Sequence, residues 1–445
     1  METSDWSPRH VTSREAVKTC VIAGATHGNE LNGLHLVKYM LRTSTTQLHR
    51  KTLEVKAIIS NPEAANENRR YVEEDLNRCF VTSRLAETAA ILDEEEAVTN
   101  GDAKRGEHKR VSLEMRRAVE LDAELGPKHS PSPNTDFLID LHGTVSNTGT
   151  LLLMAEGDGL ALEVAAYLCS LDPSVRVSFW PSGGDENPFL PTVARSGMTF
   201  EVGPCPHGSV RAGQFLTTRN LITEALDYLD RRNQRLSQAT SEAETETVES
   251  HTVTAISTGV VSVSAEGEKT ALGKRAQPAP SSRLVKASLT IYSRVGFVDF
   301  PRDAMGDLRG TVHADLDGRD FAEIGEGALA FEIFDGTARH FHRARDLRLL
   351  PGASVEPEEP LFAFFINEPA YYEKGVAFVV ARRGEVEVTF EARKDWVAPG
   401  VSAEMGEGSL RGNGESLGSN GGLLGGTEEE EGGGPPPPLK ILKVL

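Results

Sequence analysis

Short apolar runs alternate with helically spaced apolar residues across residues 17–230. Thr19–Ala23 predicts a strand, and Leu31, Leu34, Val37 and Leu41 behind it fall on one helix face. Leu53–Ser60 predicts a second strand that stops at Asn61-Pro62. Leu113–Leu125 has helical spacing and ends at Gly126-Pro127. Phe137–Leu141, Thr150–Met154 and Met198–Val202 predict further strands, and Leu216–Leu229 a closing helix. Strands separated by helices predict an α/β architecture with a mixed, mostly parallel sheet flanked by helices. The first domain is therefore placed at 17–232, behind a flexible N-terminus at 1–16. A charged stretch at 83–110, almost without large apolar residues, is expected to be a surface insertion.

Residues 233–283 are rich in Ser, Thr, Glu and Ala. That composition buries too little apolar surface to offset ordering entropy and predicts a disordered linker. From 284 to 398 the pattern changes to short β-type runs at Leu289–Tyr292, Val295–Phe300, Ala328–Phe334, Leu361–Ile366, Val376–Ala381 and Val386–Phe390. These predict a smaller C-terminal all-β domain. Residues 399–445, Gly-rich and then carrying Glu428–Glu431 and Pro435–Pro438, predict a disordered tail.

Composition narrows the function. The 445-residue chain has a net charge of −19, which disfavours nucleic acid and anionic membrane surfaces as partners. Four cysteines without a CxxC spacing do not form a disulfide framework, so a reducing, cytoplasmic compartment is expected. The first residues lack a secretory apolar core, and no run of 18 apolar residues is present.

Five constellations carry candidate chemistry. In Thr26-His27-Gly28-Asn29-Glu30, an imidazole and a carboxylate three residues apart can converge on one ion if the helix opens there. A strand-to-helix turn with a capping His would have the same spacing. Asp140-Leu141-His142 ends an apolar strand, where α/β sheets bind ligands, and offers a third metal ligand with Asp140 nearby. Arg69-Arg70-Tyr71 and Asp75-Leu76-Asn77-Arg78 offer planar, multidentate recognition of a carboxylate or oxyanion. A solvated charged loop would read the same way. Glu201, flanked by apolar residues, is a candidate general base whose pKa desolvation would raise. Asn367–Lys374 brings Glu368 and two phenols, Tyr371 and Tyr372, that either reach a substrate or pack in the core. His340 and His342 alternate on a predicted strand and offer two ligands to a second metal, without a third near in sequence.

In order along the chain, GATHGNELNG, RRYVEEDLNR, GPK, DLHGTVSNTG, EVGPCPHG and FINEPAYYEKGVAF resemble the aspartoacylase and aminoacylase-3 family. The resemblance covers most of 17–230 and 290–395. It implies a zinc-carboxypeptidase-like catalytic domain, a C-terminal domain capping the site, and hydrolysis of N-acyl-L-amino acids. One Zn2+ per subunit would be held by His27, Glu30 and His142, with Glu201 activating water and Arg70 stabilising the oxyanion. By the same resemblance Asn77 and Arg78 grip the substrate carboxylate, Tyr371 contacts the substrate, Asp75 orients the arginines and Glu368 supports the site. A homo-oligomer acting on a small-molecule N-acyl amino acid is implied. A metallocarboxypeptidase and a non-catalytic binding protein on the same fold are the alternatives. Two departures stand out. Gly143 replaces an Asn usual in the family, and position 191, where aspartoacylases carry an arginine, is Pro191, with Arg195 the nearest arginine. The C-terminal run looks closer to the aminoacylase-3 branch, which prefers aromatic and S-conjugated substrates.

Overall fold

The computed structural model describes residues 15–43, 48–99, 110–180, 187–249 and 282–393. The expected tail and most of the expected N-terminus and linker lie outside them. Six strands form the first half of the chain: β1 Thr19–Gly24, β2 Glu54–Ile59, β3 Phe137–Gly143, β4 Thr150–Met154, β5 Arg176–Phe179 and β6 Ser196–Val202. Around them run helices α1 Leu31–Arg42, α2 Pro62–Asn66, α3 Thr82–Thr99, α4 Leu113–Leu125, α5 Gly159–Leu171 and α6 Ala212–Glu249. The second half contributes β7 Ser282–Asp299, β8 Gly310–Val312, β9 Ala322–Glu323, β10 Leu329–Ile333, β11 Ala338–His340, β12 Leu347–Leu349, β13 Leu361–Phe364 and β14 Val376–Arg393.

Among the described residues one sheet runs β2-β1-β3-β6-β4-β5-β7-β14-β13-β9, with β12 paired to β7, and a small second sheet runs β11-β10-β8. Pairing is parallel from β2 to β6, antiparallel at β4 against β6, and parallel again at β5. The order places β1, β3 and β6 side by side at the centre, so their C-terminal ends open into one crevice. Strand β3 is buried along nearly its whole length, as a parallel strand covered on both faces must be.

The second half does not stand apart from this sheet. Its two separate apolar runs at 289–292 and 295–300 fall in or at the end of the single strand β7, and the runs at 376–381 and 386–390 fall in β14. Ser178 and Phe179 of β5 pair with Tyr292 and Ser293 of β7, which carries the sheet of the first half directly into the β-rich half.

Two helices stand out among the elements that were not expected. Helix α5, GLALEVAAYLCSL, is apolar all round, so it shows no amphipathic stripe. It is buried between α6 and β14, capped at its start by the Asp158 side chain on the Ala161 amide. The segment expected as a surface insertion contains α3, whose Leu85 and Thr88 are buried; 100–109 lie outside the described residues.

Helix α6 also runs on to Glu249, so 233–249 are helical where composition predicts linker. The reason is polar burial. Arg232 is fully buried, donating to Glu163 at 2.8 Å and to the Glu15 carbonyl at 2.7 Å, and Asn233 clasps both backbone groups of Val17. Paired buried polar groups hold a helix in place without registering as hydrophobic.

Candidate functional site

The turn after β1 is set by close packing. A Cβ on Gly28 would lie 2.1 Å from the Ala64 carbonyl carbon, so only glycine lets the turn touch α2. Ala25 takes a left-handed conformation (φ 58°), which turns the chain sharply out of the strand. The Glu30 amide closes the turn on the His27 carbonyl at 3.1 Å, and α1 begins only at Leu31. His27 and Glu30 therefore converge through a tight turn before the helix and not on a helix face.

His27, Glu30 and His142 are all buried and their ligand atoms lie together. Nδ1 of His27 is 2.7 Å from one Glu30 oxygen, and Nδ1 of His142 is 2.9 Å from the other. The two Nδ1 atoms are 3.0 Å apart. Each outer ring nitrogen meets a carboxylate: His27 Nε2 lies 3.0 Å from Asp75, and His142 Nε2 lies 2.7 Å from Asp140. A bound ion would take the two Nδ1 lone pairs, leaving each Nε2–H to donate outward to its carboxylate. Two imidazoles and a carboxylate converging on one point match the donor set of a catalytic zinc site. Among the described residues no other cluster of this kind occurs. His340 bonds the Gly327 carbonyl and His342 pairs with Glu326.

Asp140 accepts from the Thr26 hydroxyl at 2.6 Å as well as facing His142, so it ties β1 to β3 at the ligand level. Asp75 pairs with Arg70 at 3.1 Å in addition to His27. Burial pushes the Asp75 carboxyl up, but His27 and Arg70 outweigh it and hold it below the ordinary carboxylate range. Arg70 also reaches Glu30 at 3.4 Å, while its buried Nε has no hydrogen-bond partner.

The loop bearing these groups is held from below by Glu114, a residue the sequence reading missed. Its buried carboxylate accepts from the amides of Val72, Glu73 and Glu74 at 2.6 to 3.2 Å and from Asn61 at 3.3 Å. A buried Glu in the first turn of a predicted helix was its only trace in the sequence.

Glu201 is the register partner of His142 on β6. Its carboxylate faces the pocket and makes no hydrogen bond or ion pair among the described residues. Burial pushes it up to about 8; Glu30 and Glu368 add to that, while His142 and Arg70 oppose it. Asn77 lies 3.5 Å from His142 Nε2 and accepts from the Leu190 amide at 3.1 Å. Arg78 bonds the Asn77 carbonyl at 2.6 Å and lies over Phe189, 5.3 Å from the ring centre.

The second half of the chain closes the pocket. Tyr371, Glu368, Phe365 and Arg294 line it together with Glu201, with Trp180, Phe189 and Leu153 as apolar walls. Glu368 is buried and accepts from Thr144, from the Val145 amide at 2.9 Å and from the Ser146 amide at 3.3 Å, so it fastens this half onto the loop after His142. Tyr71 adds a bond to Glu373 at 3.0 Å. Tyr372 stays outside the pocket, packed on Phe300 and bonded to Asn367. Gly143 donates to Glu30 at 2.9 Å. Arg195 is not at the site; it pairs with Asp136 and Glu15 beside the start of β6, at the opposite end from Glu201.

Residues 16–229 match the family model described as the succinylglutamate desuccinylase/aspartoacylase catalytic domain, and residues 287–383 match the AstE/AspA barrel-sandwich hybrid domain. A probable aspartoacylase of Acaryochloris marina is 30% identical over 370 residues, covering 83% of this chain and 97% of that protein. The N-acyl-aromatic-L-amino acid amidohydrolase (carboxylate-forming) of Homo sapiens is 32% identical over 369 residues, covering 82% and 91%. The crystal structure of murine aminoacylase 3 superposes with a TM-score of 0.63 at 27% identity, covering 86% of this chain and all of that one.

Proposed function

We propose that this chain, which belongs to the succinylglutamate desuccinylase/aspartoacylase family, is a zinc-dependent amidohydrolase that splits N-acyl-L-amino acids into a carboxylic acid and a free amino acid. The observation that carries the reading is the pairing of an inward-facing His27–Glu30–His142 donor set with an unpartnered Glu201 carboxylate beside it. Those three residues would hold the ion. Bound there, zinc supplies Lewis acidity, polarising oxygen and lowering the pKa of water.

The remaining work falls to the protein's own groups. Glu201 takes a proton from the attacking water as the new C–O bond forms at the acyl carbon. It then delivers that proton to the amide nitrogen as the C–N bond breaks and the amine leaves. Arg70, fixed by Asp75 and Glu30, offers N–H groups to the oxygen that gains charge. Arg78, with the free amide hydrogens of Asn77, grips the α-carboxylate of the substrate. Tyr371 and the surrounding wall exclude bulk water, which strengthens each of these interactions. The free cysteines accord with a cytoplasmic setting.

The test is a panel of N-acetyl amino acids and short peptides offered to the zinc-loaded protein, read as acid and amine released. Release from N-acyl amino acids supports the reading. Peptide cleavage without it replaces the reading with a carboxypeptidase.

A further inference from the structure

An N-acyl amino acid brings an acyl oxygen, an α-carboxylate and an amide N–H into the pocket. The reaction above gives partners to the first two, at Arg70 and at Arg78 with Asn77. The amide N–H needs an acceptor, because a buried N–H left unpaired weakens binding.

Most side chains around the pocket cannot supply one. Arg70, Arg78, Arg294 and Trp180 only donate. His27 and Glu30 belong to the metal site. Both oxygens of Glu368 are taken, one by Thr144 and the Val145 and Ser146 amides, the other by the Ala370 amide at 3.3 Å. Thr144 donates its hydroxyl to Glu368 and accepts from the Ser146 amide at 3.1 Å. Asn77 accepts from the Leu190 amide, and the Tyr371 oxygen faces the guanidinium of Arg294. Glu201 is occupied with the attacking water.

One acceptor is left. Thr199 on β6 is only 3% exposed, yet it lines the pocket and its hydroxyl has no hydrogen-bond partner among the described residues. It stands two residues before Glu201, and residues two apart on a strand share a face at a spacing of about 6.6 Å. Its neighbour across the sheet is Leu153, and Trp180 and Phe189 line the same pocket. A hydroxyl among apolar side chains keeps its hydrogen-bonding capacity for whatever enters. The substrate nitrogen lies between the acyl carbon, attacked beside Glu201, and the carboxylate at Arg78, which stacks on Phe189.

We propose that Thr199 is a further substrate-binding residue, whose hydroxyl oxygen accepts the amide N–H of the substrate. This rests on the amidohydrolase reading. An N–H held at one point fixes where the nitrogen lone pair emerges as the acyl carbon becomes tetrahedral. That lone pair receives the proton carried by Glu201. Thr199 then discriminates N-acyl amino acids from O-acyl 2-hydroxy acids, which have an oxygen where the amide has its N–H.

Two matched pairs test this: N-acetyl-phenylalanine against O-acetyl-phenyllactate, and N-acetyl-aspartate against O-acetyl-malate. Thr199→Val keeps a β-branched side chain of the same shape on the strand and removes the acceptor. In the pair the wild type hydrolyses better, it should lower the amide-to-ester ratio of kcat/KM about tenfold, and Thr199→Ser should restore most of that ratio. A ratio within about twofold of wild type in Thr199→Val overturns the proposal, as does a ratio that stays low in Thr199→Ser. Equilibrium binding to Glu201→Gln reads the same contact without turnover. There the amide should bind about tenfold more tightly than the ester, and about equally once Thr199→Val is added. Equal binding of amide and ester to Glu201→Gln overturns the proposal even if no Thr199 variant folds. A protein that binds the amide more tightly but hydrolyses neither compound refutes the amidohydrolase reading and leaves the role of Thr199 standing.

Discussion

Two sets of groups in the pocket are built by opposite rules. In the first, every ring nitrogen of His27 and His142 faces a carboxylate, and Arg70 is doubly paired. In the second, Arg78 and Arg294 have no carboxylate within ion-pair distance among the described residues, and Glu201, beside His142 in the sheet, has no hydrogen-bond partner among them. A saturated network fixes geometry, because each group is held from more than one direction. Unsatisfied groups mark where a substrate supplies the missing partner.

The sharpest way to break this contrast is to remove the unpartnered base. Glu201→Gln should lower kcat about 10^3- to 10^4-fold while zinc content, measured by metal analysis, stays the same. Turnover within tenfold of wild type would move the proton to another group. The carboxylate is the working form, so activity is lost as pH falls through its pKa. The protein pushes that value up to about 8 and a bound dication lowers it, so the acid limb of kcat/KM should lie below that and vanish in the variant.

Smaller effects probe the saturated set. Glu368→Ala leaves the Val145 and Ser146 amides without their acceptor and should cost about 2–3 kcal/mol by denaturant unfolding. A loss under half that would mean the fastening of the two halves rests elsewhere. Asp140→Ala frees the His142 ring and should weaken zinc binding about 10- to 100-fold in chelator competition. Unchanged affinity would show that ligand orientation does not depend on the outer carboxylates. Gly143→Asn should shift stability by less than about 1 kcal/mol, since the nearest atoms to an added Cβ lie at 3.8 and 3.9 Å. A larger drop in unfolding midpoint would place a constraint at Gly143 that its surroundings do not reveal.

Much of the first half was legible along the chain. Strands β1, β3, β4 and β6 and helix α4 follow apolar runs bounded by Gly, Pro or capping residues, since burial writes itself into local pattern. Helix α5 was illegible because a helix apolar all round has no period to read, and the continuation of α6 because the buried residues that anchor it, Arg232 and Asn233, are polar. Glu114 was missed for the same reason: a carboxylate holding three amides looks like any helical Glu.

By itself the sequence determined the residue types able to hold a metal and move a proton, and their place at strand ends, because those depend on short-range spacing and strand alternation. Only the tertiary structure decided which nitrogens face inward, that Asp75 and Asp140 back the two histidines, and that β7 joins the sheet and carries Arg294 into the pocket. Those outcomes depend on contacts between residues up to hundreds of positions apart, and whether a charge is paired is a property of the assembled site and not of the residue.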